Sequence, residues 1–284
     1  MNTRERDNFL QIYEWSGDWS QLPWAHEEPT LFLAELCTQR PAGTALDIGC
    51  GAGTDSVFLA SRGWQVTSLD FVPKALEFTQ QRAQQAGVSV TAVEADITAW
   101  EVPQRYDLVL DHGLLHNMDP VRYPAYRERV LRALAGNGDF LLLHWHPLYP
   151  GQPDGEAGPR RRSRDEIREF FAPELTERYF AREDFEDLPD VVGGGMSQAY
   201  YWFRRNPAHA HPEELLAQLA ATLARHGVAP GPATEPDLAL LARIVGPGRL
   251  GLSQRIIEPA GAVQAVRDWA TAHGRDAEQL LDSL

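Results

Sequence analysis

The sequence predicts an α/β fold: a doubly wound, seven-stranded, mostly parallel sheet with an N-terminal covering segment and a C-terminal helical appendage. Three observations carry this expectation. Short apolar runs near 44–48, 65–69, 88–93, 106–110 and 138–145 alternate with helical patterns at 55–62, 73–86 and 120–135. Regular alternation of this kind builds a parallel sheet with helices on both faces. The first run ends in a glycine-rich turn, Gly49-Cys50-Gly51-Ala52-Gly53, that opens a helix, and the second ends on an acid, Asp70. Glycines in such a turn let the backbone approach a ligand, and the acid stands where a ribose diol is held.

Residues 1–40 come first, an aromatic, turn-rich stretch (Trp15, Trp19, Trp24) that becomes helical near Pro29 or Thr30 and is expected to cap the sheet. After the fourth strand, Asp119-Pro120 offers an N-cap acid followed by proline, a good helix start. The segment 150–162 is a Pro/Gly loop ending in Arg160, Arg161 and Arg162. Ser163 and Glu166 then form a capping box for a helix over 164–171. Runs at 175–182 and 197–205 read as the strand pair that closes the sheet, which places the main domain at 1–206. Residues 207–284 hold four short helical patterns, near 212–226, 236–245, 260–272 and 275–283, an extension suited to packing or homo-oligomer contact, with a role in covering the active site as the alternative.

The spacing of the glycine turn separates cofactors. A dinucleotide site places its third glycine three residues after the second, with the helix N-terminus facing a pyrophosphate. Here Gly49, Gly51 and Gly53 alternate, and Asp47 stands two residues before the first. A carboxylate at that point repels a pyrophosphate and attracts an ammonium group. An adenosine end joined to a cationic amino-acid end fits both acids, which is the composition of S-adenosylmethionine. Over roughly residues 10–205 the chain resembles the class I S-adenosylmethionine-dependent methyltransferases. Within them it is similar to the small-molecule branch of thiopurine methyltransferase-like and tellurite-resistance-type enzymes.

That resemblance implies a Rossmann-like sheet and a set of site residues. Asp47, Gly49, Gly51 and Gly53 line the methionine end, Asp70 takes the ribose hydroxyls, and Phe71 lies against adenine. Asp96 and Ile97 read and cover the adenine ring. Asp111 and His112, after the fourth strand, contact cofactor or substrate, and His116 is a candidate general base. His144 and His146 flank Trp145 at the end of the fifth strand and are further candidates for acceptor chemistry. Four histidines also raise a metal reading, but no cysteine or carboxylate spacing supports one, so no metal is expected.

Methyl transfer needs an in-line nucleophile in a site that excludes water, and positioning supplies much of the rate. The expected acceptor walls are Trp19, Trp24 and Trp145, with Arg160, Arg161 and Arg162 as a clamp for a substrate carboxylate. The leading expectation is transfer to sulfur, selenium or another soft atom of a small molecule, which needs no protein base when the acceptor is already an anion. N- or O-methylation with a histidine base is the alternative, and aminopropyl transfer on the same fold comes after it. A regulatory protein that binds S-adenosylmethionine without catalysis is the reading from another class.

Bulk properties narrow the partners. With 40 acidic against 26 basic side chains the net charge is −14, which excludes a general attraction to nucleic acid or an anionic membrane. No charged-then-apolar N-terminal signal and no apolar run of bilayer length is evident. Cys37 and Cys50 are too few for a disulfide framework, so the expectation is a cytoplasmic protein with reduced thiols.

Overall fold

The computed structural model describes residues 3–154, 160–185 and 195–206, with isolated positions 271 and 274. Its strands are β1 (Thr44–Ile48), β2 (Gln65–Asp70), β3 (Thr91–Glu94), β4 (Tyr106–His112), β5 (Leu134–His146), β6 (Leu175–Phe185) and β7 (Met196–Arg205). They form one seven-stranded sheet in the order β3-β2-β1-β4-β5-β7-β6. The pairs among β1 to β5 are parallel, and β7 runs antiparallel to β5. The strand order reverses between β1 and β4, which pair with Ile48 opposite Asp111. The carboxyl ends of β1, β2 and β4 therefore open one crevice, the place where such sheets hold ligands.

Among the described residues six helices frame the sheet: α1 (Thr3–Trp15), α2 (Leu33–Gln39), α3 (Thr54–Ala60), α4 (Pro73–Gln85), α5 (Tyr123–Ala133) and α6 (Arg164–Phe171). One core layer packs α5 and α6 on the sheet through Tyr126, Val130, Phe140, Phe171 and Phe203. A second packs α2 and α3 on the other face through Leu33, Leu36, Leu59, Leu108 and Trp202. A smaller cluster of Tyr13, Leu22, Ala52, Val72 and Phe78 ties α1 and its following turn to α4 and the glycine turn. Beneath the core, the fully buried Asp139 accepts from Trp202 Nε1 at 2.8 Å and pairs with both Arg40 and Arg204. A buried carboxylate needs such partners, because alone it loses its hydration without return.

Several boundaries differ from those read in the sequence. Residues 3–15, read as turns, form α1; its apolar side chains hold through packing on α4, since a pattern this short is weak by itself. The helix expected near Pro29 starts at Leu33, after Phe32 takes a left-handed φ of 72°. The third strand is 91–94 rather than 88–93. The helix expected over 120–135 divides into a 3-10 turn, Pro120–Arg122, and α5, and the fifth strand starts at Leu134. Gly136-Asn137-Gly138 falls at a register shift between β4 and β5, so a turn-like tripeptide is absorbed as an irregularity within a strand. The α6 capping box is present with both of its hydrogen bonds. The extension expected over 207–284 lies outside the described residues.

Candidate active site

A cavity of about 790 Å³ opens at the carboxyl ends of β1, β2 and β4. Its floor is the glycine turn. Gly49 and Gly51 have φ of 67° and 55°, backbone that side chains with a Cβ rarely adopt. A Cβ on Gly49 would lie 2.7 Å from Leu114 Cδ1, so this turn closes against the β4 loop only with glycine there. Gly53 was expected on the cofactor; it lies instead behind the turn, where a Cβ would meet Thr79 of α4 at 2.6 Å. Its task is close helix packing.

Asp70 ends β2 with Oδ1 accepting from Val72 N at 2.9 Å and Oδ2 from Gly51 N at 3.0 Å. Burial pushes its carboxyl up to about 6. Asp47 is buried under the turn, accepts from Ser56 Oγ at 2.6 Å, and is pushed to about 7 by burial and by the charge of Asp55. Phe71, Ile97 and Asp96 line the same end. Asp96 Oδ1 caps Thr98 N at 3.0 Å, and Oδ2 meets Arg122 Nη2 at 2.5 Å. Burial is outweighed there by the hydrogen bonds from Arg122 and Thr98, which hold the Asp96 carboxyl below its ordinary range. Arg122 was missed in the sequence; its place in a first helical turn carried no signal of a partner in the turn after β3.

These residues fit S-adenosylmethionine. Gly51 offers a backbone cradle that a Cβ would fill, 3.3 Å from Tyr13 Oη; Asp70, fixed from behind by two amides, keeps lone pairs for a diol; buried Asp47 offers a carboxylate for an ammonium group.

The cavity wall also carries aromatic and apolar side chains, Trp24, Leu31, Met118, Trp145 and Tyr200, with Trp24 beside the glycine turn. Trp24 packs on Phe9 and Tyr13 at centroid distances of 5.4 and 5.6 Å, so α1 and the segment after it form one wall. Tyr200 and Gln198 come from β7, on a strand that the sequence placed in the sheet without assigning it to the site.

The histidines separate. His112 and His116 line the cavity; His144 and His146 do not. His144 is fully buried, with Nδ1 2.8 Å from Trp145 O, and burial pushes it down to about 4. His146 Nδ1 lies 2.7 Å from Pro147 O. Burial and the neighbouring His144 and His112 push His116 well below its ordinary value. His112 Nδ1 lies 3.0 Å from Asp55 Oδ2 and also contacts Thr30 Oγ1. Burial disfavours its charge, yet the Asp55 hydrogen bond and the charges of Asp55, Asp47 and Asp111 outweigh it and raise the pKa. Thr30, Asp55 and His26, whose ring lies 4.2 Å from that of His112, were not picked out in the sequence. The signal for Asp55 was its place in the first turn of the helix leaving the glycine loop, within reach of the β4 end.

Other expected site residues are used elsewhere. Asp111 is absent from the cavity wall; it accepts from Leu114 N, Leu115 N and Tyr126 Oη, fixing the loop after β4, and burial pushes it up to about 6. Trp19 lies under the Arg82 guanidinium, 3.8 Å from its ring centroid, away from the cavity. The arginine clamp does not form at the cavity. Arg160 N donates to His116 O at 2.7 Å, Arg161 binds Pro153 O and Gly195 O, and Arg162 pairs with Asp154 at 3.7 Å. Among the described residues, His26, Asp55 and His112 each bring one ligand-capable atom within 4.8 Å of the others. This is a different group from the four histidines weighed in the sequence. None of the described helices is long and apolar enough to cross a membrane.

Comparison with known proteins agrees with this fold. Residues 45–138 match the family model described as a methyltransferase domain. The chain is 28% identical over 191 residues to a 2-heptyl-1-hydroxyquinolin-4(1H)-one methyltransferase of Mycobacteroides abscessus, covering 64% of this chain and 81% of that protein. It is 29% identical to thiocyanate methyltransferase 1 of Brassica oleracea, over 51% of this chain and 65% of that protein. In fold it is similar to the Burkholderia thailandensis 1,6-didemethyltoxoflavin-N1-methyltransferase solved with S-adenosylhomocysteine, at a TM-score of 0.55 and 24% identity over 71% of this chain and 87% of that one. Residues 45–138 are a methyltransferase domain, and with the site described above they make the chain an S-adenosylmethionine-dependent methyltransferase.

Proposed function

We propose that this enzyme methylates a soft atom, foremost sulfur, of a small apolar acceptor. The observation that carries the reading is the union in one cavity of the glycine turn with its two acids and the apolar wall of Trp24, Leu31, Met118, Trp145 and Tyr200. S-Adenosylmethionine, when bound, supplies an electrophilic methyl group on a sulfonium. Asp70 and the Gly51 backbone would hold its ribose and Asp47 its ammonium end. Asp96 and Ile97 would hold the adenine. The aromatic wall orients the acceptor and keeps water out, and orientation of this kind is worth several kcal/mol, on the order of 7–11 in favourable intramolecular cases.

A second reading, O-methylation of a hydroxyl on an aromatic ring, is favoured by two observations. His112 stands on the cavity with Asp55 behind it, and one relative carries a hydroxyquinolone in its name. The test is S-adenosylhomocysteine formation with a panel of aryl thiols, alkyl thiols, ring hydroxyls, amines and halides. Turnover with thiols above all others supports the first reading; turnover with ring hydroxyls above thiols moves it to the second. Formation with none of them contradicts both.

A further inference from the structure

We propose that His112, oriented by Asp55 and Thr30, removes a proton from the methyl acceptor, so that the acceptor enters the site neutral, as a thiol or a ring hydroxyl, rather than as a preformed anion. The proposal deepens the methyl-transfer reading above and rests on it.

The geometry orients one nitrogen. Thr30 N and Oγ1 donate to Asp55 Oδ1 and Oδ2, each at 2.6 Å, and His112 Nδ1 donates to Oδ2 at 3.0 Å. With Nδ1–H committed to the carboxylate, the lone pair of the neutral ring resides on Nε2, the nitrogen left for the cavity. Asp55 is 3% exposed; burial opposes its charge, but the His112 and Thr30 hydrogen bonds prevail and keep its carboxyl below the ordinary range. It is thus a fixed anion behind the imidazole. His116 has no such partner among the described residues: its Nδ1 is buried without a hydrogen bond, and its lowered pKa makes it a weak base.

The charge of the cavity selects the neutral acceptor. Asp47, Asp55, Asp70, Asp96 and Glu28 lie on its wall, while Arg122, the one lysine or arginine among the described lining residues, is paired to Asp96. A free anion entering here meets the carboxylates of Asp55 and Glu28, a repulsion that the sulfonium of bound S-adenosylmethionine offsets in part. A neutral X–H group meets none. It gives its proton to Nε2 and its electron pair to the methyl carbon, while the carbon–sulfur bond breaks with its pair left on sulfur. The products are the methylated acceptor, S-adenosylhomocysteine and an imidazolium beside Asp55, whose proton then passes to solvent.

The test compares acceptors that carry a proton with acceptors that do not. In His112→Gln and Asp55→Asn, kcat/KM for an aryl thiol or ring hydroxyl should fall by about 10²–10⁴-fold, the range of general-base assistance. Iodide and thiocyanate, which have no proton to lose, should lose less than about tenfold by the same reasoning. Titration with S-adenosylhomocysteine checks that each variant is folded. A measurement on the wild type needs no variant and no turnover: a nitrophenol bound with S-adenosylhomocysteine should show the colour of its ionised form at a pH where it is neutral in solution.

The rate with a protonated acceptor should rise with pH through the ionisation of His112. The groups facing it are Asp55, Asp47, Asp111, His26 and His116, with Arg82 beside Asp55 and His26. Asp55→Asn removes the largest influence that raises the His112 pKa, so its inflection should move to lower pH. Equal losses for proton-bearing and proton-free acceptors, or a nitrophenol bound in its neutral form, would overturn the proposal while leaving methyl transfer standing. So would turnover lost to a chelator and restored by a divalent metal, which would make His26, Asp55 and His112 ligands. No S-adenosylhomocysteine with any acceptor would remove the methyl-transfer reading itself.

Discussion

The amide of Gly51 donates to Asp70 Oδ2 at 3.0 Å, joining the turn after β1 to the acid that ends β2. The carboxylate therefore fixes the cradle as well as lining the cavity. Asp70→Ala should weaken S-adenosylmethionine binding about a hundredfold, since hydrogen bonds to a charged group are worth about 1.5–3 kcal/mol. Unchanged affinity by calorimetry would refute this assignment.

The same acids make binding pH-dependent. Burial raises Asp70 to about 6 and Asp47 to about 7, so in the ligand-free protein both are partly protonated near neutrality. Ribose hydroxyls and an ammonium group favour the ionised forms. Affinity should therefore fall as pH drops from about 7.5 to 5, with proton release on binding near pH 6–7. Calorimetry in buffers of different ionisation enthalpy reads that release directly; a binding enthalpy independent of buffer would contradict it.

His144 links stability to acid. Its folded pKa of about 4 lies below the ordinary value of 6.5, so the fold favours the neutral ring. This contribution is complete above pH 6.5 and is lost as pH falls toward 4, about 3 kcal/mol over that span. His144→Gln should lose stability less steeply between pH 6.5 and 4 than the wild type in urea titrations. Parallel losses would show that the site does not contribute.

Gly53 and Thr79 test the packing behind the turn. Gly53→Ala requires a side chain at φ 76° and 2.6 Å from Thr79, and should cost about 2–4 kcal/mol from left-handed strain and overpacking together. Adding Thr79→Ala should recover part of the loss. No recovery in the double variant would place the whole cost in the backbone.

Arg122 should govern adenine recognition through Asp96. With the 2.5 Å contact removed in Arg122→Ala, Asp96 loses its fixed orientation. The KM for S-adenosylmethionine should rise about tenfold, corresponding to roughly 1.4 kcal/mol, while kcat changes little. Preference over an analogue with the adenine amino group replaced by a carbonyl should shrink. A fall in kcat at constant KM would assign Arg122 to the acceptor side.

What could be read from the sequence was local. Gly49, Gly51, Asp47 and Asp70 sit within 24 residues, and their spacing on a strand–turn–helix–strand unit brings them to one cavity in the order of the chain. The capping box at Ser163 and Glu166 was legible for the same reason. The acceptor half was not, because its walls come together only in space. Thr30, Asp55 and His112 meet across 82 residues of chain, and Tyr200 reaches the cavity from the antiparallel strand that closes the sheet. His144 and His146 do share a face of β5, as alternation dictates, but they lie off the cavity wall. Arg160 to Arg162 read as a clamp from composition, whereas Arg161 binds the carbonyls of Pro153 and Gly195 and Arg162 pairs with Asp154.

The most direct measurement is S-adenosylhomocysteine formation by the purified protein with an aryl thiol and a ring hydroxyl, followed with a labelled methyl group. The account predicts label in the acceptor and stoichiometric S-adenosylhomocysteine. Micromolar binding of S-adenosylmethionine without label transfer to any acceptor in the panel would contradict it and leave a protein that binds the cofactor without using it.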